Sequence, residues 1–257
     1  MLIFLIALII FIVVLCTSND DIKQRKEDKR EALRRQAGIA GEQAVKQKIQ
    51  SIAPTNSKLI NNVVLYGKNR KTYQIDHIFI NTNGIWIIET KNWSGEIYGE
   101  ELENDWFQVQ GNHKERRFNP LQQNFTHCYK IQSILGTDAP INCLVVFIKA
   151  DISNINAKRI CNLRDLPKVL FSETGKKLTE KQIEYYYQKI IYYQNQCNIS
   201  SEEHEMIMRN SRNKYAYGFC PNCGGRLKKR RYNSRVFYGC SNFPRCRYTQ
   251  NKVDFFD

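Results

Sequence analysis

Two groups of side chains in this 257-residue sequence could do chemistry, and they call for different cations. The first is acidic and lies mid-chain: Asp76 within Thr72 to Ile80, and Glu89 followed by Thr90 and Lys91 at the end of Ile85 to Lys91. The second is a set of cysteines, Cys220-Pro-Asn-Cys223 and Cys240-Ser-Asn-Phe-Pro-Arg-Cys246. Carboxylate oxygens suit a hard divalent ion such as Mg²⁺ or Mn²⁺, which keeps several waters, whereas thiolates suit Zn²⁺. The acidic group could therefore attack a phosphodiester, while the cysteines could close a structural metal site.

Asn83-Gly84 between two runs rich in β-branched and aromatic residues marks a hairpin. Counting outward from that turn brings Asp76 within about two residues of Glu89 and Lys91. Side chains alternate along a strand, so Glu89 and Lys91 project from one face about 6.6 Å apart. Lys91 could then orient a water or steady charge developing on the scissile phosphate. An isolated Glu-x-Lys is more often an exposed ion pair, but this one ends the apolar run Ile85-Trp86-Ile87-Ile88 beside an acid. Glu42 precedes Val45 and Ile49 on the apolar stripe of a helix, which turns it toward the sheet. The favourable field at a helix N-terminus is a competing explanation for an acid there. His77 and His113 are read as packed or edge residues, outside the catalytic set.

Four thiolates at the C-terminal spacing complete a tetrahedral zinc site, leaving no position for substrate, so this zinc is structural and folds a piece too small for its own core. Gly224, Gly225 and Gly239 supply the turns. Nine cysteines, with Cys16, Cys128, Cys143, Cys161 and Cys197 scattered, do not form a disulfide framework and point to a reducing compartment. Between Cys220 and Gln250 there is no Asp or Glu, yet Arg226, Lys228, Lys229, Arg230, Arg231, Arg235, Arg245 and Arg247 are present. That is a phosphate-binding surface. Tyr232, Phe237, Tyr238, Phe243 and Tyr248 interleave with the charges; some must form the small core, and others, with Tyr238 and Phe243 as the candidates, offer faces on which bases stack.

The run from Phe219 to about Gln250 closely resembles the four-cysteine zinc finger at the C-terminus of type I DNA topoisomerases. That resemblance implies DNA binding with a single-strand preference. Gly38-Ile-Ala-Gly41-Glu42, Gln74-Ile-Asp76-His77, Glu89-Thr-Lys91-Asn-Trp93-Ser-Gly95 and Asn119-Pro120-Leu-Gln-Gln123, in that order, resemble the nuclease-related domain family. That family is similar to the restriction-endonuclease-like PD-(D/E)xK superfamily. The likeness covers about Gln36 to Lys149 and implies an α/β fold, a restriction-endonuclease-like mixed sheet flanked by helices. It further implies metal-dependent cleavage at Glu42, Asp76, Glu89 and Lys91, with Gln123 supporting the site and Asp76 and Glu89 on the magnesium. The superfamily's proline ahead of the first acid is replaced by Ile75.

The elements that must position these residues follow from periodicity. Residues 1–17 begin with an unbroken apolar run, Met1 to Cys16, whose helix would reach roughly 24 Å, slightly short of a bilayer core. Basic residues lie only beyond it, from Lys23 to Arg35, so the run reads as a transmembrane anchor with the rest of the chain in the cytoplasm. Residues 18–37 read as a charged helical stalk, 38–172 as the nuclease-related domain, 173–217 as a helical connector and 218–257 as the zinc ribbon. Within 38–172 the expectations are a helix over Gly38 to Ile52, strands at Leu59 to Tyr66, Thr72 to Ile80, Ile85 to Lys91, Glu96 to Tyr98 and Trp106 to Gln110, and a helix opening at Asn119-Pro120. Its stripe is Leu121, Phe125, Cys128 and Leu135. Ile141 to Ile148 reads as a buried parallel strand and Val169 to Phe171 as a short strand. Thr179 to Gln196 and Ser200 to Asn213 read as helices.

The formal net charge of +14 calls for a polyanionic partner, nucleic acid or an anionic lipid surface. The leading expectation is a membrane-anchored, Mg²⁺-dependent nuclease whose zinc ribbon holds DNA. The competing ones are a non-catalytic membrane-tethered DNA-binding protein and a lipid-binding basic surface.

Overall fold

Ile141–Phe147 is apolar at every position but Asn142 and Cys143, and in the computed structural model of the chain it is a central strand with both faces covered. The structure describes the backbone of residues 2–66, 72–172, 177–197, 200, 203, 204, 206, 220, 226–232 and 235–250. Side chains are described within those ranges from residue 22 onward, except at 23, 229, 232, 235, 236 and 250. The thiol of Cys223, the side chains of Lys229 and Arg235, and most of the helix expected over Ser200 to Asn213 lie outside the described residues.

A long helix, α1 (Leu2–Ile52), leads into strands β1 (Lys58–Tyr66), β2 (Thr72–Asn81) and β3 (Gly84–Lys91). Strands β4 (Glu96–Glu100), β5 (Asp105–Gln110) and β6 (His113–Phe118) follow, then α2 (Pro120–Leu135) and β7 (Ile141–Phe147). The short β8 (Ile155–Asn156), β9 (Ile160–Asn162) and α3 (Leu166–Leu170) precede α4 (Glu180–Cys197). The main sheet has the order β1-β2-β3-β7-β9, and a smaller one the order β6-β5-β4-β8. β2 runs antiparallel to β3, but β3, β7 and β9 are parallel, with α2 in the crossover between β3 and β7. This is a mixed α/β architecture.

Alternation along β7 divides the core. Leu144 and Val146 join Val45 and Ile49 of α1, Phe79, Trp86, Ile88 and α3 residues on one face. Val145 and Phe147 join Ile97, Trp106 and Leu121 on the other. Full burial of such a side chain stabilises by roughly 1.5–3 kcal/mol, so the strand ends are held by a rigid centre.

Two elements differ from the sequence expectation. Val169 to Phe171 is not a strand: Val169 and Leu170 complete α3, whose start is set by Pro167 in its first turn. β6 (HKERRF) carries no β-branched residue and gave no strand signal; pairing with β5 over its whole length creates it. The stalk and the helix from Gly38 are one continuous helix. Among the described residues no helix is long and apolar enough to cross a membrane. The anchor expected over residues 1–17 falls where side chains are not described, and it rests on the sequence.

Candidate active site and zinc ribbon

Asn81 pairs with Gly84, so the hairpin turn is Thr82-Asn83, one residue earlier than Asn83-Gly84 suggests. Asn83 sets this position. Its side chain donates to Leu170 O at 3.3 Å and Ser172 O at 3.1 Å, and its backbone N–H is accepted by Asn81 Oδ1 at 2.9 Å. Gly84 has φ 131°, and a Cβ there would meet Pro140 O at 2.8 Å, which excludes other residues. His77 pairs with Ile88, so the next position along the ladder sets Asp76 opposite Glu89, and Asp76 Oδ2 accepts the Thr90 N–H at 2.7 Å.

Across the parallel ladder Glu89 pairs with Val145 and Lys91 with Phe147, so both side chains share the face covered by α2. Lys91 Nζ donates to Glu89 Oε1 at 2.5 Å and to Gln123 Oε1 at 3.2 Å. Gln123 is thus brought to the site. One helical turn on, His127 places Nε2 3.6 Å from Glu89 Oε2, with both side chains under a tenth exposed. The helix that carries them is capped by Asn119, whose side chain accepts the Leu121 N–H, and clamped by Asn124, which donates to Ile87 O and Leu144 O at 2.9 Å each. The buried stripe of α2 therefore runs through Leu121, Asn124, His127 and Ile131 rather than through Phe125 and Cys128, which are only half-buried. Polar residues that hold the strands displaced the apolar stripe by one position.

Glu42 comes from α1. At Gly41 a Cβ would lie 2.8 Å from the Cβ of Asn92, so the helix can cross the end of β3 at this distance only with glycine there. Asn92 Nδ2 donates to Ala37 O at 2.7 Å and fixes the crossing. Glu42, next in sequence, is half-buried, and its charge is felt by both Asp76 and Lys91. Sequence, close packing and site electrostatics meet at this glycine.

Burial, then the charges of Glu89 and Glu42, push the Asp76 carboxyl well above its ordinary range, against the pull of Lys91. Glu89 goes the other way: burial opposes its charge, but Lys91 and then His127 outweigh burial and hold it below the usual value. Burial likewise opposes the charge of Lys91, yet Glu89 and Asp76 keep its ammonium above the ordinary lysine value. The chemistry is an ion pair with an extra, reluctant acid beside it. Among the described residues Glu89 Oε2 has no hydrogen bond, its neighbour being His127 Nε2 at 3.6 Å, and the Glu89 charge acts on Asp76. A buried oxygen without a hydrogen bond, next to an acid disfavoured as an anion, is a donor set that a divalent cation fits.

His77 lies on the opposite face, with Nδ1 2.7 Å from Asn61 Oδ1, and burial lowers its pKa to about 4. It is a packed residue. His127 is the functional candidate that sequence reasoning passed over. Its position four residues after Gln123, on the same helical face, was the available signal.

In the C-terminal segment, β10 (Leu227–Tyr232), β11 (Arg235–Cys240) and β12 (Thr249–Gln250) form a three-stranded antiparallel sheet. The expected basic hairpin is β10-β11, with Leu227 opposite Cys240. Cys220, Cys240 and Cys246 bring their sulfurs within 4.8 Å of one another, and Cys220 Sγ is 3.6 Å from Cys246 Sγ. A disulfide would need about 2.05 Å. Four sulfurs at about 2.3 Å from a tetrahedral zinc stand about 3.8 Å apart, so the donor set fits zinc. The Asn242 N–H donates to Cys240 Sγ at 3.4 Å, which favours the thiolate. Tyr238 and Tyr248 pack against the cysteines, whereas Phe243 is 61% exposed with the Arg230 guanidinium 6.0 Å from its ring. Arg226, Lys228, Arg231, Arg245 and Arg247 are exposed around them.

Acid, acid and lysine on the inner strands of a mixed sheet, the lysine bound by a glutamine of the crossover helix, define a nuclease-like α/β domain, here joined to a four-cysteine ribbon. Residues 37–148 match the family described as nuclease-related domain, and residues 217–254 match the topoisomerase DNA binding C4 zinc finger. An uncharacterized protein of Bacillus anthracis is 31% identical over 159 residues, covering 60% of this chain and 75% of that protein. The chain belongs to the nuclease-related domain family. No solved structure matches it.

Proposed function

We propose that this chain is a nuclease-like DNA-binding protein that cleaves phosphodiester bonds with Mg²⁺ or Mn²⁺ at Asp76 and Glu89. The observation that carries the reading is the triad around the buried Glu89: Asp76 one residue beyond the His77–Ile88 pair, and Lys91 Nζ 2.5 Å from Glu89 Oε1. Asp76 and Glu89 would hold the ion, which supplies Lewis-acid polarisation of the phosphate and a more acidic water. Lys91 stands beside them as a fixed positive charge for the developing phosphorane, and Gln123 keeps its ammonium aimed. Glu42 adds negative charge that favours a cation in the same place.

The ribbon, held by zinc, supplies DNA affinity through Arg226, Lys228, Lys229, Arg230, Arg231, Arg235, Arg245 and Arg247, with Phe243 as the base platform. Covalent linkage raises the effective concentration of bound strand at the nuclease domain without new contacts there. The apolar run of residues 1–16 anchors the chain in a membrane, with Lys23 to Arg35 marking the cytoplasmic side.

The test is cleavage of labelled single- and double-stranded DNA by the full chain in detergent micelles, with Mg²⁺, Mn²⁺ or neither. Cleavage that needs the metal and is lost in Glu89→Gln is the expected result. No cleavage of DNA or RNA with any divalent ion sinks the catalytic reading. If the chain then still binds DNA through the ribbon, a non-catalytic tether takes its place.

A further inference from the structure

Beyond the acids and Lys91, the nuclease-related domain holds a cationic arrangement beside the triad that neither the triad nor the ribbon uses. Arg117 on β6 pairs across the ladder with Trp106, a core residue, so it lies on the inner face of that strand, whereas Arg116 opposite Phe107 lies on the outer face. Its guanidinium sits 5.6 Å from the centre of the Trp93 ring. Trp93 is two residues beyond Lys91, and Lys91 Nζ is 6.0 Å from the same ring. The two cations are thus no further apart than the sum of those distances, within reach of neighbouring phosphates of one strand.

This guanidinium is fixed in place. Gln108 Oε1 accepts from its Nε at 2.9 Å and from its Nη2 at 2.7 Å, and the amide of Gln108 is oriented by donating to Ser94 O at 2.7 Å. Trp93 in turn is packed edge-on against Phe147. The nearby carboxylate does not neutralise it: Glu115 is shared between Arg117 at 2.8 Å and Arg34 of α1 at 3.4 Å, which leaves one surplus positive charge. Arg117 is 24% exposed in its side chain, and among the described residues its Nη1 takes part in no hydrogen bond or ion pair. A guanidinium held on an aromatic ring, with the two Nη1 donors left over and excess charge around it, is placed to take a phosphate through that nitrogen.

We propose that Arg117, laid on Trp93, binds a backbone phosphate of single-stranded nucleic acid close along the strand to the phosphate that Lys91 faces. This deepens the nuclease reading and rests on it for the identity of the strand. A contact to the backbone phosphate reads no base, so the clasp tolerates any sequence.

The tryptophans give a readout that separates this site from the ribbon. All three, Trp86, Trp93 and Trp106, lie in the nuclease-related domain, and Trp86 and Trp106 are at most 5% exposed. The experiment titrates the full zinc-loaded chain, in the non-cleaving Asp76→Asn background, with an oligothymidylate of about six nucleotides, following tryptophan fluorescence. Quenching is expected, with Arg117→Ala weakening it by about tenfold and lowering the salt slope by about 0.7, one phosphate contact on a single strand. Arg116→Ala, on the outer face, should leave both unchanged. Arg117→Lys, which keeps the charge but loses the fork, is expected to weaken binding by about threefold and covers the case in which the alanine chain does not fold. Equal affinity and slope in wild type and in the Arg117 variant that folds overturns the proposal, as does ribbon binding with no tryptophan signal. Quenching that needs Arg117 in a chain that never cleaves upholds the clasp and sinks the nuclease reading. Cleavage with an unchanged KM in Arg117→Ala does the reverse.

Discussion

The nuclease-related domain and the zinc ribbon both present charge to a phosphate, but they obtain rigidity from opposite sources. Around the triad, two apolar clusters pack both faces of β7, and the strands themselves fix Asp76, Glu89 and Lys91. Among the described residues of the ribbon the buried cluster is Cys220, Leu227 and Cys240, so metal ligation stands in for a core. The difference sets which charges are costly. The domain spends stability on holding an unwilling acid, whereas the ribbon leaves its described arginines exposed.

Removing zinc should separate the two most sharply. A structural zinc site contributes on the order of 10–16 kcal/mol of apparent binding energy, so chelation is expected to unfold residues 218–257 and leave the sheet intact. Hydrogen exchange should lose protection in β10 and β11 and keep it in β3 and β7; uniform loss would contradict the contrast.

Next in size is Asp76→Asn, which should reduce cleavage by at least about a thousandfold and yet raise the melting temperature of the metal-free chain. The sign follows from linkage. The folded pKa of Asp76 is raised, so its folded state binds more protons, and stability falls as pH climbs from the ordinary aspartate range through that raised value. Asparagine removes this loss. Melting curves of both proteins from pH 4 to 8 check it: the gap should widen with pH, and a gap that narrows means that Asp76 is stabilised as an anion.

Gly41→Ala tests the crossing of α1 over β3. With Asn92 Cβ 2.8 Å away, the added methyl should cost about 1–3 kcal/mol by overpacking and reduce cleavage, through displaced Glu42, more than melting predicts. Denaturant midpoints and rates together decide; an alanine that stabilises, as it would in a free helix, removes the argument.

His127 is the mildest. Replacing it with phenylalanine keeps the volume but loses the group beside Glu89 Oε2, and outer partners of this kind are worth about 10–100-fold in metal affinity. The half-saturating Mn²⁺ concentration should rise by that factor; a purely structural histidine would shift the melting temperature and leave the metal titration alone.

Much of this was legible because it is local. The Asp76 to Lys91 hairpin shows in two runs rich in β-branched and aromatic residues around a turn, and the cysteine knuckles in their spacing. The turn itself slipped by one residue because Asn83 is bound by carbonyls of Leu170 and Ser172, far along the chain. β6 is a strand by pairing alone, which no propensity in His113 to Phe118 reveals. His127 was hidden for a similar reason: on a helix stripe a histidine aimed at a carboxylate looks the same as one packed in a core. Gly38 and Gly41, which could have broken α1, do not, since the second is needed for close approach.

Asn124 carries one more consequence. By donating to carbonyls on β3 and β7 at once, it keys α2 to the sheet at a single phase. A residue inserted between Asn119 and Asn124 would turn the helix start by about 100° against that key, whereas one inserted in the loop after Leu135 would leave it seated. The crossover helix behaves as a lock with one admissible rotation, and Gln123 and His127 are aligned with the Glu89 and Lys91 side chains for as long as it is turned that way.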